Sequence, residues 1–134
     1  MEAAPASHTV SLATPAKPDY VVLARLALSA VCRLSPLAPE EVADLKLAIT
    51  EAATYIMGGE RRRTVRAADD TARLTFTFDL GEHALDLCVS GAELPTVSDE
   101  ERELSLALIR ATVDSYEYGD GSVRLTKQLD YAAE

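Results

Sequence analysis

Apolar and polar positions along the chain alternate at two different periods, and the points where the period changes divide it into elements. Val10 and Leu12 alternate with polar neighbours in a short run closed by Pro15 and Pro18, which predicts a first strand at a sheet edge. After Asp19 the step lengthens. Val22, Leu23, Leu26, Ala27, Ala30 and Leu34 recur every three or four residues, while Arg25, Ser29 and Arg33 form a polar line at i, i+4, i+8. This predicts a helix with its apolar residues turned to the core and one basic stripe turned to solvent.

Pro36 and Pro39 end that helix, and Pro39 suits the first turn of the next, where Glu40 and Glu41 favour the positive end of the helix dipole. Val42, Leu45, Ile49, Ala52 and Ile56 form the core face of this second helix, which Gly58-Gly59 stops. Period two returns at Leu74, Phe76, Phe78 and Leu80, then Gly81 precedes Leu85, Leu87 and Val89. That is an antiparallel hairpin. Ser98 followed by Glu101 reads as a capping box opening a third helix through Leu104, Leu108 and Ala111. Tyr116 and Tyr118, the turn Gly119-Asp120-Gly121, and Val123, Leu125 and Lys127 predict a second hairpin. The order β-α-α-β-β-α-β-β predicts an α+β two-layer sandwich, a mostly antiparallel sheet with helices on one face. Its domain is expected over residues 8–129, between loose ends at 1–7 and 130–134.

With 134 residues and 48% apolar content, the chain suits one domain around one core. Lys and Arg total 13 against 22 Asp and Glu, a net charge of −9. That balance argues against a non-specific grip on nucleic acid or on an anionic membrane and favours a basic partner. The longest apolar stretch, from Tyr20 to Leu34, is broken by Arg25 and Arg33, too short and too charged to span a bilayer. The first eight residues lack the cationic start and apolar centre of a signal peptide, so the expected location is the cytoplasm. Cys32 and Cys88 each lie within an apolar pattern and read as reduced core residues. His8 and His83 have no companions at ligand spacing, so no metal site is expected. Arg61, Arg62, Arg63 and Arg66 read as a solvated turn, the alternative being a grip on an acidic partner or on nucleic acid.

Four strings carry a resemblance: PAKPDYVVLARLALS (15–29), DLKLAITEAAT (44–54), LIRATVDSYEY (108–118) and GSVRLTKQL (121–129). In order and spacing they are similar to the anti-sigma factor serine kinases of sporulation and stress-response switches, members of the GHKL ATPase superfamily. The likeness covers roughly residues 10 to 129. It implies the sandwich fold read above, and a homodimer that silences an alternative sigma factor and uses ATP to phosphorylate a serine of a STAS-type anti-anti-sigma protein.

The family's ATP site does not carry over residue by residue. Its second helix bears Glu-x-x-x-Asn, the glutamate helping to activate the nucleophile and the asparagine holding magnesium. Here Glu51 keeps the first position and Tyr55 takes the second, where a phenol is a poor ligand for an ion that prefers hard oxygens. The adenine-reading Asp and its companion Gly correspond to Gly91 and Glu93. The phosphate-approaching Gly-x-Gly-Leu corresponds to Glu103-Leu104-Ser105-Leu106, which places a carboxylate where a triphosphate would sit. The span from Gly91 to Glu103 is also short for a nucleotide-covering lid.

These departures imply an anti-sigma factor that holds its sigma factor by surface contacts, is released by a STAS-type partner, and binds neither ATP nor magnesium. The alternatives are an active serine/threonine kinase that uses ATP and magnesium with Glu51 as catalytic group, and an adaptor keeping only the dimer and STAS-binding surfaces. Glu51 otherwise reads as a solvated helix residue. Tyr55 either fills the emptied pocket, bonded to Glu51, or simply packs. Arg25, with Ser29 and Arg33 on its stripe, matches the position at which the family presents an arginine to its partners, ordinary exposure being the alternative.

Overall fold

A computed structural model describes residues 8–57, 72–91, 99–119 and 121–130. The elements are β1 (His8–Pro15), a 3-10 turn (Pro18–Tyr20), α1 (Val21–Cys32), α2 (Pro39–Met57), β2 (Arg73–Leu80), β3 (Ala84–Gly91), α3 (Asp99–Arg110), β4 (Ser115–Gly119) and β5 (Ser122–Gln128). Their order is the predicted one. Five strands form one antiparallel sheet in the order β1-β2-β3-β5-β4, with β1 at an edge as its prolines suggest.

The period-two runs decide which face of the sheet is covered. Leu74, Phe76, Phe78 and Leu80 of β2, Leu85, Leu87 and Val89 of β3, and Val123 and Leu125 of β5 all point to the helical side and are buried. Register ties them into rows, Phe76 opposite Val89 and Val89 opposite Val123, so neighbouring strands bury one shared surface. α1 lies against β1 and β2, α2 against β3 and β5, and α3 beside α2 near β4. The Ala38 N–H donates to the Glu41 carboxylate at 2.8 Å, which caps α2 one residue before Pro39. Lys127 of β5 reaches the same carboxylate at 3.7 Å and ties that helix start to the sheet.

Three expectations are corrected. The face of α1 that enters the core is Val21, Ala24, Leu28, Val31 and Cys32, whereas Leu23 and Leu26 are exposed, Leu26 by 63%, along with Val22 and Leu34. A helix this apolar satisfies a three-four period on two faces, and side-chain size chooses between them. Ala24 allows close approach to a neighbour helix that itself buries Ala48, Ala52 and Ala53. The buried line of α3 is likewise shifted by one residue: Ser105 and Ile109 face inward, while Leu104 and Ala111 are exposed. Cys88 shares the parity of Asp86 and Ser90 on the uncovered side of the sheet and is half-buried, so only Cys32 is a core cysteine.

The β4–β5 hairpin closes with Gly119 opposite Ser122, and Gly121 adopts φ 72°, the left-handed region that favours glycine, as a hairpin turn requires. The Gly58-Gly59 stop, the cluster Arg61, Arg62, Arg63 and Arg66, the Ser98 cap and Glu93 lie outside the described residues. Among the described residues no helix is long and apolar enough to cross a membrane.

Candidate functional site

The C-terminal half of α2 carries the residues singled out in the sequence. Tyr55 follows Glu51 by one turn and shares its side of the helix. α3 packs beside α2 and meets β4, and the Tyr55–Tyr118 ring contact joins β4 to this half of the helix across the space between them. Into that space point Tyr55, 9% exposed, and Ser105, 6% exposed. Tyr118 of β4 meets Tyr55 edge to face, ring centroids 4.7 Å apart and planes at 87°. Tyr116, two residues earlier and therefore on the same strand face, meets Tyr118 in the same manner at 5.9 Å. Of the chain's five tyrosines, three gather here.

Electrostatics follow from this packing. Burial pushes the Glu51 carboxyl above its ordinary value, and the nearby Ser105 hydroxyl pulls it back by less. Glu51 itself is half-buried. Burial also raises the Tyr118 phenol, with Ser105 again opposing and Tyr55, Tyr116 and Glu51 adding to the rise. The Tyr118 Oη and Ser105 Oγ are both buried without an aligned hydrogen-bond partner. Arg110, at the end of α3, donates from Nη2 to the Tyr116 hydroxyl at 3.2 Å on the outer rim.

The structure thus brings together Glu51, Tyr55 and Ser105. Gly91 ends β3 close by, its N–H bonded to the Gly121 carbonyl at 2.9 Å. A Cβ on Gly91 would stand 2.8 Å from the Cγ2 of Ile56, the residue after Tyr55, so the strand end and the helix pack in direct contact. Glu103 sits apart, exposed on the outer side of α3, two residues before Ser105 turns inward. Arg25 and Arg33 are exposed on and just after α1, with Ser29 half-buried between them. They form a separate surface, beside the exposed Val22, Leu26 and Leu34.

Sequence reasoning missed the two tyrosines of β4. Tyr116 and Tyr118 were visible as alternating strand residues, yet nothing local ties a strand near the C-terminus to position 55. The signal available was the aromatic pair on one strand face in a chain with only 5% aromatic residues. Among the described residues no group of three or more His, Cys, Asp or Glu side chains could hold a metal ion. Among the described residues the side chains gathered here are three phenols, one serine and one carboxylate.

The chain is similar to known proteins along most of its length. The chain is 26% identical over 125 residues to the serine-protein kinase RsbW of Bacillus licheniformis, covering 92% of this chain and 75% of that one. It is 29% identical over 111 residues to the protein of the same name from Listeria monocytogenes serotype 4a, covering 83% and 62%. To the RsbW of Bacillus cereus it is 30% identical over 81 residues, covering 60% and 47%. The histidine kinase-like ATPase domain profile matches residues 14–127, nearly the whole sandwich from the end of β1 to the last turn of β5, and the chain belongs to that family.

Proposed function

We propose that this chain is an anti-sigma protein of kinase-like fold that binds and sequesters an alternative sigma factor of the stress or sporulation type without using ATP. In this reading it acts in the cytoplasm as a homodimer, and a STAS-type anti-anti-sigma protein releases the sigma factor. The observation that carries it is the edge-to-face contact of Tyr55 with Tyr118 at 4.7 Å, which fills with the chain's own aromatic rings the space beside α2 where the family's magnesium ligand would stand. A nucleotide would have to displace rings whose burial stabilises the fold. Ser105, in place of a phosphate-approaching glycine, adds side-chain bulk against α2.

The partner surface in this reading is α1. Val22, Leu26 and Leu34 stand exposed beside Arg25 and Arg33 in a chain of net charge −9. An apolar stripe edged by arginines offers hydrophobic contact together with planar donors that pair carboxylates bidentately. The acidic remainder of the chain speeds encounter with a basic DNA-binding protein.

Thermal unfolding with and without nucleotide tests the first half. A ligand at a hundred times its dissociation constant adds about 2.7 kcal/mol, several degrees for a domain of this size. No shift with millimolar Mg-ATP or Mg-ADP is expected, and a saturable upward shift overturns the reading. Co-purification with sigma factors from the same cell tests the second half. Failure of all of them to bind at micromolar concentration overturns it. A second reading, an active serine kinase, draws support from Glu51, which keeps the first position of the motif and whose raised proton affinity suits a general base. Radiolabel transfer from ATP to a STAS-type protein, abolished by Glu51→Gln, would favour it.

A further inference from the structure

β1 ends the sheet with an undefended outer side. Among the described residues no strand pairs with it beyond β2. Its sequence, His-Thr-Val-Ser-Leu-Ala-Thr-Pro over His8–Pro15, contains no Asp, Glu, Lys or Arg, although 26% of the chain is charged. Natural edge strands are blunted by charge, proline, bulges or brevity, because their unpaired backbone groups would otherwise recruit another strand. β4, at the opposite edge, is short and carries the exposed Glu117. β1 instead runs in unbroken register with β2, and its proline comes only at the last position.

The phase of the ladder fixes which groups face outward. The Ala16 N–H donates to the Ala72 carbonyl at 2.9 Å, one step past the pairing of Pro15 with Arg73. Bonded and non-bonded pairs alternate along an antiparallel ladder, so Thr14, Leu12, Val10 and His8 bond to β2, while Ala13, Ser11 and Thr9 turn their N–H and C=O groups to the open edge. Pro15 falls in the outward set, where its missing N–H costs the existing ladder nothing. Three outward residues at alternate positions make one half of a second ladder.

We propose that the outer edge of β1 pairs antiparallel with β1 of a second copy of this chain, joining two five-stranded sheets across a two-fold axis at Ser11. That centre sets Thr9 opposite Ala13 of the second copy, Ser11 opposite its own equivalent, and Ala13 opposite Thr9 of the second copy. Each pair exchanges two N–H···O bonds. A centre at Val10 would carry Ala13 past the start of the second β1, and a centre at Leu12 would set Thr9 against Pro15, which has no N–H to return. Ser11 is the register that uses every outward group.

Side chains fit the same register. Val10 and Leu12 share the helical face with their partners Phe78 and Phe76. Val10 is 38% exposed and Leu12 is half-buried. The axis at Ser11 lays Val10 beside Leu12 of the second copy, so the apolar layer over β1 continues across the joint. On the other face Thr9, Ser11 and Ala13 are small and leave room for approach. A molecule of net charge −9 repels its own copy, and an uncharged strand is where two copies meet at least cost. Each copy has one such edge, so the contact is isologous and closes at two. This inference rests on the homodimer of the anti-sigma reading and says where the two copies join.

The test combines sedimentation velocity of the full chain from micromolar to millimolar concentration with amide hydrogen exchange at both ends of that range, on wild type, Ser11→Pro and Ser11→Lys. Wild type is expected to dimerise, with the Thr9, Ser11 and Ala13 amides gaining protection only as the dimer forms. The Val10 and Leu12 amides, already bonded to β2, are protected throughout. Ser11→Pro removes the central N–H from each copy and Ser11→Lys sets two like charges at the axis, so each weakens dimerisation by about tenfold or more and leaves the melting temperature of dilute protein nearly unchanged. A dimer whose Thr9, Ser11 and Ala13 amides stay unprotected, or one that both variants leave intact, overturns the pairing while the homodimer stands. Protection of those amides in the monomer means that another part of the chain covers the edge, and overturns it too. A monomer at millimolar concentration overturns the pairing and the homodimer together. Should the variants not fold, the concentration dependence of amide protection in wild type decides alone.

Discussion

Removing the Tyr55 ring tests whether the space beside α2 is structural packing or a vacant pocket. Tyr55 is buried, and its ring meets Tyr118 edge to face at 4.7 Å. Truncating a buried large aromatic to alanine costs about 3–5 kcal/mol, of which about 0.5–1.5 kcal/mol belongs to an aromatic pair in this geometry. Half-buried Tyr118 has freedom to lean into the void, which places Tyr55→Ala at the lower end, about 3 kcal/mol. At this chain length that loss lowers the melting temperature by about 10–15 °C. Tyr118→Ala costs less, about 1–2 kcal/mol, because more of its ring meets solvent. The double variant recovers the pair term as a coupling of about 0.5–1.5 kcal/mol. Urea unfolding of wild type, both single variants and the double variant supplies every number, with Tyr55→Phe as the control that keeps the ring. A loss below about 1 kcal/mol for Tyr55→Ala, or additive singles, would mean that the rings do not hold this region together.

Other outcomes follow from the same structure. Gly91→Ala places a methyl 2.8 Å from the stiff Cγ2 branch of Ile56, and overpacking of this kind costs about 1–3 kcal/mol in urea unfolding. Arg25→Ala is expected to weaken partner affinity by about 1–3 kcal/mol in calorimetric titration and to leave the melting temperature nearly unchanged, since the residue is exposed on α1. Arg33→Ala, two turns on, costs less. Thiol labelling is expected to modify Cys88 first: Cys32 is buried and its thiol is pushed up to about 11, so labelling of Cys32 at the faster rate would contradict the packing of α1.

The sheet was legible from the chain because period two permits only one division of each strand into faces. Leu74, Phe76, Phe78 and Leu80 cannot all be buried except together. α2 was legible because the predicted face of Leu45, Ile49, Ala52 and Ile56 is the one that is buried. α1 was not. Its apolar residues nearly encircle the helix, and the choice of Ala24 and Leu28 over Leu23 and Leu26 depends on how closely the alanines of α2 allow it to approach. Half of the candidate site was readable: Tyr55 and Ser105 stand out once the chain is set beside the family's motifs. Tyr118 was not readable, because its meeting with Tyr55 joins positions far apart in the sequence and is decided by sheet order, which places β4 beyond β5. The half-burial of Glu51 likewise arises from α3 packing against it, and a helical pattern carries no sign of that.

Equilibrium binding of a cognate sigma factor, measured by titration calorimetry with and without millimolar Mg-ATP on nucleotide-stripped protein, tests the central claim most directly. The account predicts micromolar or tighter affinity that Mg-ATP leaves unchanged and that Arg25→Ala weakens. Binding that appears only with Mg-ATP, or no binding to any sigma factor of the same cell, would contradict it.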